Sequence, residues 1–272
     1  MRFWPLALPV LLLAGCNKEM DSAPPAPPKT APAPPQAELQ PQPIELKDLI
    51  ETDQRYVVGI SYPPAASKYP GLAAELRRYA DAARDELMKA VASIDASKQS
   101  SPYDLTLNFT LLTETPQMVA VAADGSSYTG GAHSAPLVAR FVWLPRQNRV
   151  MSAESLLAEP QGWNVISDYV REQLHSTLSQ RVDADELAAP ERAEVMRGAA
   201  RMIDEGTTPA AASFSSFEPV LAASDGKLMA LRFVFPPYQV GPYVDGVRTV
   251  EVPASVLLPY LSPEYRSLFV GG

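Results

Sequence analysis

The residues of this 272-residue chain that could do specific chemistry are few, and they gather in two short stretches. Ser127-Tyr128-Thr129-Gly130-Gly131-Ala132-His133-Ser134 sets a tyrosine and a histidine around paired glycines. Pro236-Pro237-Tyr238-Gln239-Val240-Gly241-Pro242-Tyr243-Val244-Asp245-Gly246 sets two tyrosines five residues apart among prolines and glycines. Paired glycines open backbone conformations closed to other residues, so the first stretch predicts a tight, specific loop. In the second, prolines fix φ and glycines release it, which predicts a stiff loop whose rings lose little entropy on binding. Both stretches also read as structural corners, with the tyrosines anchoring them to the core.

The catalytic inventory is short. His133 and His175 are the two histidines, and Cys16 is the single cysteine. The sequence has no HExxH zinc motif, no G-x-S-x-G nucleophile elbow and no phosphate-cradling glycine loop with lysine. A zinc site of the common kinds needs three or four ligands, so no metal or cofactor is expected and no catalytic residue is assigned. His133 with Asp124 or Ser127 would make an acid–base pair if geometry allowed it. Paired carboxylates for glycoside cleavage are invisible to sequence. His175 falls on the polar side of a helical stretch, where a solvated or capping role is expected. Binding is favoured over catalysis.

The third chemical residue is Cys16. Arg2 supplies a short positive start, residues 3–13 form an apolar run too short to span a bilayer, and Leu13-Ala14-Gly15-Cys16 closes it. That tetrapeptide resembles a bacterial lipobox, which implies cleavage before Cys16 and a diacylated cysteine as membrane anchor. Removal of the leader leaves 22 basic against 31 acidic residues, a balance near −9. Such a surface repels nucleic acid and attracts basic partners. Residues 21–43, rich in proline and alanine and without aromatics, cannot bury enough apolar area to fold and read as a semi-rigid spacer. The expected organisation is a signal peptide at 1–15, a lipid-anchored linker at 16–45, and a folded body of two halves, 46–135 and 136–272, which the lack of a flexible linker between Gly131 and Ser152 predicts to pack as one unit.

The elements that must position the two loops form an α+β pattern, antiparallel sheets packed with several helices. Residues 55–62, 103–113, 118–123 and 137–144 read as strands, the second alternating apolar and polar residues as a half-buried antiparallel strand does. Asp124-Gly125 predicts a turn. A helix after Pro70 carries Leu72, Leu76, Tyr79, Ala83, Leu87 and Val91 on one stripe. Short and long helical patterns begin at Ser152 and Gln161, and a further helix spans 190–205. Strands at 217–222 and 227–235 form a hairpin around Ser224-Asp225-Gly226, and a strand at 247–252 leads into a short helix.

The tyrosine–glycine–glycine–alanine–histidine loop is followed about a hundred residues later by strand, Pro-Tyr-x-x-Gly-Pro-Tyr-x-x-Gly, strand and Val-Pro. Together they resemble the RsiV-like extracytoplasmic domain family, which pairs a PdaC-like N-terminal half with a C-terminal half of unassigned biochemistry. Ser134 stands where that family usually has proline. The resemblance implies an ectodomain that binds lysozyme or another wall-acting protein, or peptidoglycan itself. It marks Pro237, Tyr238, Gly241, Pro242 and Tyr243 as the partner-binding loop, with Tyr128, Gly130, Gly131 and His133 forming or bracing its neighbour. An unrecognised wall hydrolase or deacetylase is the remaining alternative.

Overall fold

The computed structural model describes residues 44–184 and 188–272. The leader, Cys16 and the proline-rich spacer up to residue 43 lie outside the described residues. A six-stranded sheet runs in sequence order through β1 (Leu49–Thr52), β2 (Tyr56–Ser61), β3 (Tyr103–Glu114), β4 (Val119–Tyr128), β5 (Ala135–Leu144) and β6 (Arg149–Val150). The connection from β2 to β3 is helix α1 (Pro70–Ser93). Three further helices follow: α2 (Ala153–Leu156), α3 (Gly162–Ala184) and α4 (Ala189–Gly206). A three-stranded antiparallel sheet then forms from β7 (Phe217–Leu221), β8 (Leu228–Phe235) and β9 (Arg248–Pro253). Short helices α5 (Ala254–Leu257) and α6 (Pro263–Arg266) complete the chain, confirming the α+β class.

The large sheet is covered on one face along β3, where Thr106, Asn108 and Thr110 stay exposed, and on both faces around β4 and β5, where strand alternation decides which core each residue enters. Val119, Val121 and Ala123 face α1, whose Leu72, Leu76, Leu87 and Val91 close one core. Met118 and Ala120 face the other way, joining Trp163, Ile166, Val170 and Leu174 of α3 with Phe217, Phe233 and Phe235 of the small sheet. Trp143 and Val142, adjacent on β5, divide between the two cores in the same manner. Full burial of such side chains contributes about 1.5–3 kcal/mol each.

Two expectations are corrected. Asp124-Gly125 makes no turn: β4 continues to Tyr128, with Gly125 in register opposite Leu107 of β3. The glycine serves a close approach instead, since a Cβ there would sit 1.9 Å from the Thr106 carbonyl oxygen. β3 is antiparallel to β4 but parallel to β2, because a strand–helix–strand crossover returns the chain in the same direction. β1, β6 and α6 carry too few residues for their periodicity to be read. The hairpin at Gly226, which has φ +68°, lies where its turn residues place it.

Candidate functional site

The β4–β5 connection is built by glycine. Tyr128 is the last residue of β4, and its hydroxyl donates to the Gly131 carbonyl at 3.4 Å. Gly130 and Gly131 take φ of +94° and +105°, conformations that side chains rarely allow. The turn they make leaves His133 exposed.

The longer connection, residues 236–246 between β8 and β9, is held from beneath. Tyr238 N–H donates to the Gly241 carbonyl at 3.0 Å, and Gly246 N–H donates to the Tyr243 carbonyl at 3.0 Å. The Gln239 side-chain amide donates to the Gly206 carbonyl at 2.9 Å and the Ser213 carbonyl at 2.8 Å, tying the loop to the end of α4. Val240 is buried below. Asp245 accepts from Arg181 of α3 at 2.6 Å and Arg248 of β9 at 3.0 Å. Burial would push the Asp245 carboxyl up, but hydrogen bonds and charge from Arg181 and Arg248 outweigh it and hold the group below the usual carboxylate range.

On this footing the rings assemble. His133 stacks on Tyr243 with ring centroids 4.9 Å apart and planes 17° from parallel. Tyr238 also meets Tyr243, with ring centroids 5.6 Å apart and planes tilted by 36°. Tyr238 is 53% exposed and Val244 87%, so the three rings and Val244 form an open aromatic ledge. Tyr238 holds φ +74° without being glycine, a backbone conformation that costs of order 1–3 kcal/mol and concentrates at functional sites. The structure thus brings together His133, Tyr238 and Tyr243. Pro242 is exposed beside them, Pro237 is half-buried and Gly241 is buried. Gly241 keeps space for Asp245, whose carboxylate oxygen lies 3.0 Å from where a Cβ would stand. Tyr128, Gly130 and Gly131 shape the turn that carries His133, with Tyr128 paired to Asp104 of β3 and Gly130 lying near the Tyr103 ring.

Sequence reading missed a network of charges that joins the strands of the two sheets. Arg140 of β5, with only 8% of its side chain exposed, bonds Asp124 of β4 at 2.9 Å and Glu218 of β7 at 2.6 Å. Glu218 also meets Arg232 of β8 at 3.4 Å, and Arg232 meets Glu251 of β9 at 2.5 Å. A lone arginine inside the apolar runs APLVARFVWL and LMALRFVF was the available signal. Asp124 is therefore committed to Arg140, and Ser127 lies within the β4 ladder opposite Leu105. His175 Nε2 stands 3.2 Å from Asp204 Oδ1, bridging α3 and α4. The nearby Ser167 hydroxyl donates to the Thr207 carbonyl. Among the described residues no group of three or more His, Cys, Asp or Glu is placed to hold a metal ion. No helix among them is long and apolar enough to cross a membrane.

Residues 50–135 match the family model described as Deacetylase PdaC. A DUF3298 family protein from Pseudomonas aeruginosa is 15% identical in the structural comparison, which covers 85% of this chain and 99% of that one with a TM-score of 0.47. A DUF3298 family member from Bacteroides fragilis is also 15% identical, over 80% of this chain and 93% of that one, with a TM-score of 0.45. No curated protein matches the chain.

Proposed function

We propose that this chain is a cell-envelope lipoprotein, anchored through Cys16, whose folded body is a non-catalytic binding module. The aromatic ledge recognises a basic wall-acting protein such as a lysozyme. One observation carries the reading: two loops about a hundred residues apart meet with His133 stacked on Tyr243 and Tyr238 beside it, exposed and already braced. Rings fixed before contact lose little entropy on binding, and exposed tyrosines with a neighbouring apolar residue are typical binding hot spots. The match of residues 50–135 to the deacetylase model and the leader that ends before Cys16 both support an envelope location. The acidic balance of the chain suits a basic partner. Under this reading the two halves, 46–135 and 136–272, each contribute one loop to a shared surface.

Calorimetry with the chain lacking residues 1–43 tests it. A basic lysozyme should bind, and Tyr238→Ala/Tyr243→Ala should weaken binding at least tenfold. Absence of binding to several lysozymes at low salt would overturn the proposal. The open face of the ledge also suits a sugar ring, which favours a peptidoglycan-associated scaffold as second reading. Co-sedimentation with purified sacculi, lost in the same double variant, distinguishes that case.

A further inference from the structure

The two loops of the ledge hang from different sheets. The turn before His133 closes β4 and β5 in the six-stranded sheet, and the tyrosine loop joins β8 to β9 in the three-stranded one. No strand pairing links the sheets among the described residues, so no backbone ladder fixes their register. The apolar core between them is held by a non-directional force, which fixes the sheets by shape and not by any defined bond. A slip of one residue along a strand, about 3.3 Å, exceeds the width of an imidazole ring and would carry His133 off Tyr243.

Among the described residues one directional bond does cross between the strands of the two sheets. Arg140 Nε reaches Glu218 Oε1 at 2.6 Å, with 8% and 15% of the side chains exposed. Arg140 is fixed on its own sheet by Asp124 and by the carbonyls of Ala123 and Ala139. Glu218 is fixed on the other by Arg232, which in turn holds Glu251. The resulting series alternates in sign and touches β4, β5, β7, β8 and β9, which include all four strands that enter or leave the two loops. Asp124 precedes the end of β4 by four residues, and Arg232 precedes the end of β8 by three, so each loop sits only a short rigid arm away.

We infer that the Arg140–Glu218 pair is a positioning device that sets how β5 and β7 lie against one another and so lays His133 over Tyr243. The inference rests on reading that ledge as the binding surface. A planar guanidinium fixes both the direction and the distance of its partner. A buried ion pair is seldom more stabilising than apolar residues of similar volume, whereas setting register is its best-attested role.

The full chain with isotope-labelled histidine, in detergent, provides the test by nuclear magnetic resonance at constant pH. It has two histidines, so His133→Asn assigns the signals and Tyr243→Leu gives the position of an unstacked His133. In Arg140→Met/Glu218→Leu the His133 ring signals should move at least half-way to the unstacked position or split into several. Thermal unfolding should remain cooperative in that variant. The near-isosteric Glu218→Gln should give an intermediate shift. Wild-type His133 signals in either folded variant would overturn the inference. So would loss of folding in Glu218→Gln, because the pair would then act through stability alone. Binding of a basic lysozyme, measured in parallel, should weaken about tenfold in the double variant. If His133 moves while even the wild-type chain binds no lysozyme, the placement stands and the proposed function falls.

Discussion

Tyr238 is where one residue's conformation and its proposed role pull in opposite directions. Its φ of +74° suits glycine far better than tyrosine, and yet its ring stands open beside Tyr243. Tyr238→Gly should therefore leave the unfolding free energy unchanged or raise it by about 1 kcal/mol, since glycine adopts that backbone without strain. The same variant should lose partner binding by about 2 kcal/mol or more, the scale of an interface hot spot. Chemical denaturation and calorimetry on one sample separate the two effects. Asp245 makes a second case. Its folded-state pKa lies below its unfolded value, so its contribution to stability is complete above the unfolded pKa near 4 and is lost as pH falls through the lower folded value. Asp245→Asn should lower stability at neutral pH by about 1.5–3 kcal/mol, the worth of hydrogen bonds to charged groups. It should also flatten the stability profile below about pH 4, which denaturation at a series of pH values measures.

At the scale of elements, the local rules were legible wherever one element decides its own fate. The stripe on α1, the apolar series on α3 and the Gly226 hairpin follow from spacing and turn chemistry, and each lies where its residues put it. Asp124-Gly125 failed as a turn because the dipeptide cannot show that Thr106 and Leu107 of β3 pass close enough to require glycine in mid-strand. The rings of the ledge were legible as residues, but their meeting was not, since it depends on two sheets packing. Gln239 and Gly206 show the same dependence. Nothing in either local sequence says that a Cβ on Gly206 would lie 2.0 Å from the Gln239 carbonyl oxygen. Gly206→Ala should push the tyrosine loop away from the end of α4, costing about 1–3 kcal/mol of stability as an overpacked contact does. It should also weaken partner binding without touching the partner. A variant that binds at full strength would show that the loop is held elsewhere.

For the whole molecule, the question is whether the halves at 46–135 and 136–272 are separate bodies. The boundary between them cuts the β4–β5 hairpin, whose strands pair from Val119–Trp143 to Ser127–Ala135. Those same two strands feed both cores: Val119 and Val121 close one, and Ala120 and Val142 enter the other. Melting either layer would strip β4 and β5 of one apolar face while the other stayed covered, exposing several side chains worth about 1.5–3 kcal/mol each. That penalty makes a half-folded molecule scarce, so unfolding should be a single transition. The chain provides its own reporters, because without residues 1–43 it retains only two tryptophans, one in each core. Trp163→Phe leaves Trp143 to report the α1 side, and Trp143→Phe leaves Trp163 to report the α3 side. Each substitution shifts stability by its own amount, so each variant's tryptophan fluorescence must be compared with its own circular dichroism. Coincident midpoints in both variants are expected. A fluorescence transition that precedes or trails the backbone signal in either one would mean that the layers melt separately, and the two loops would then meet only while both layers are folded.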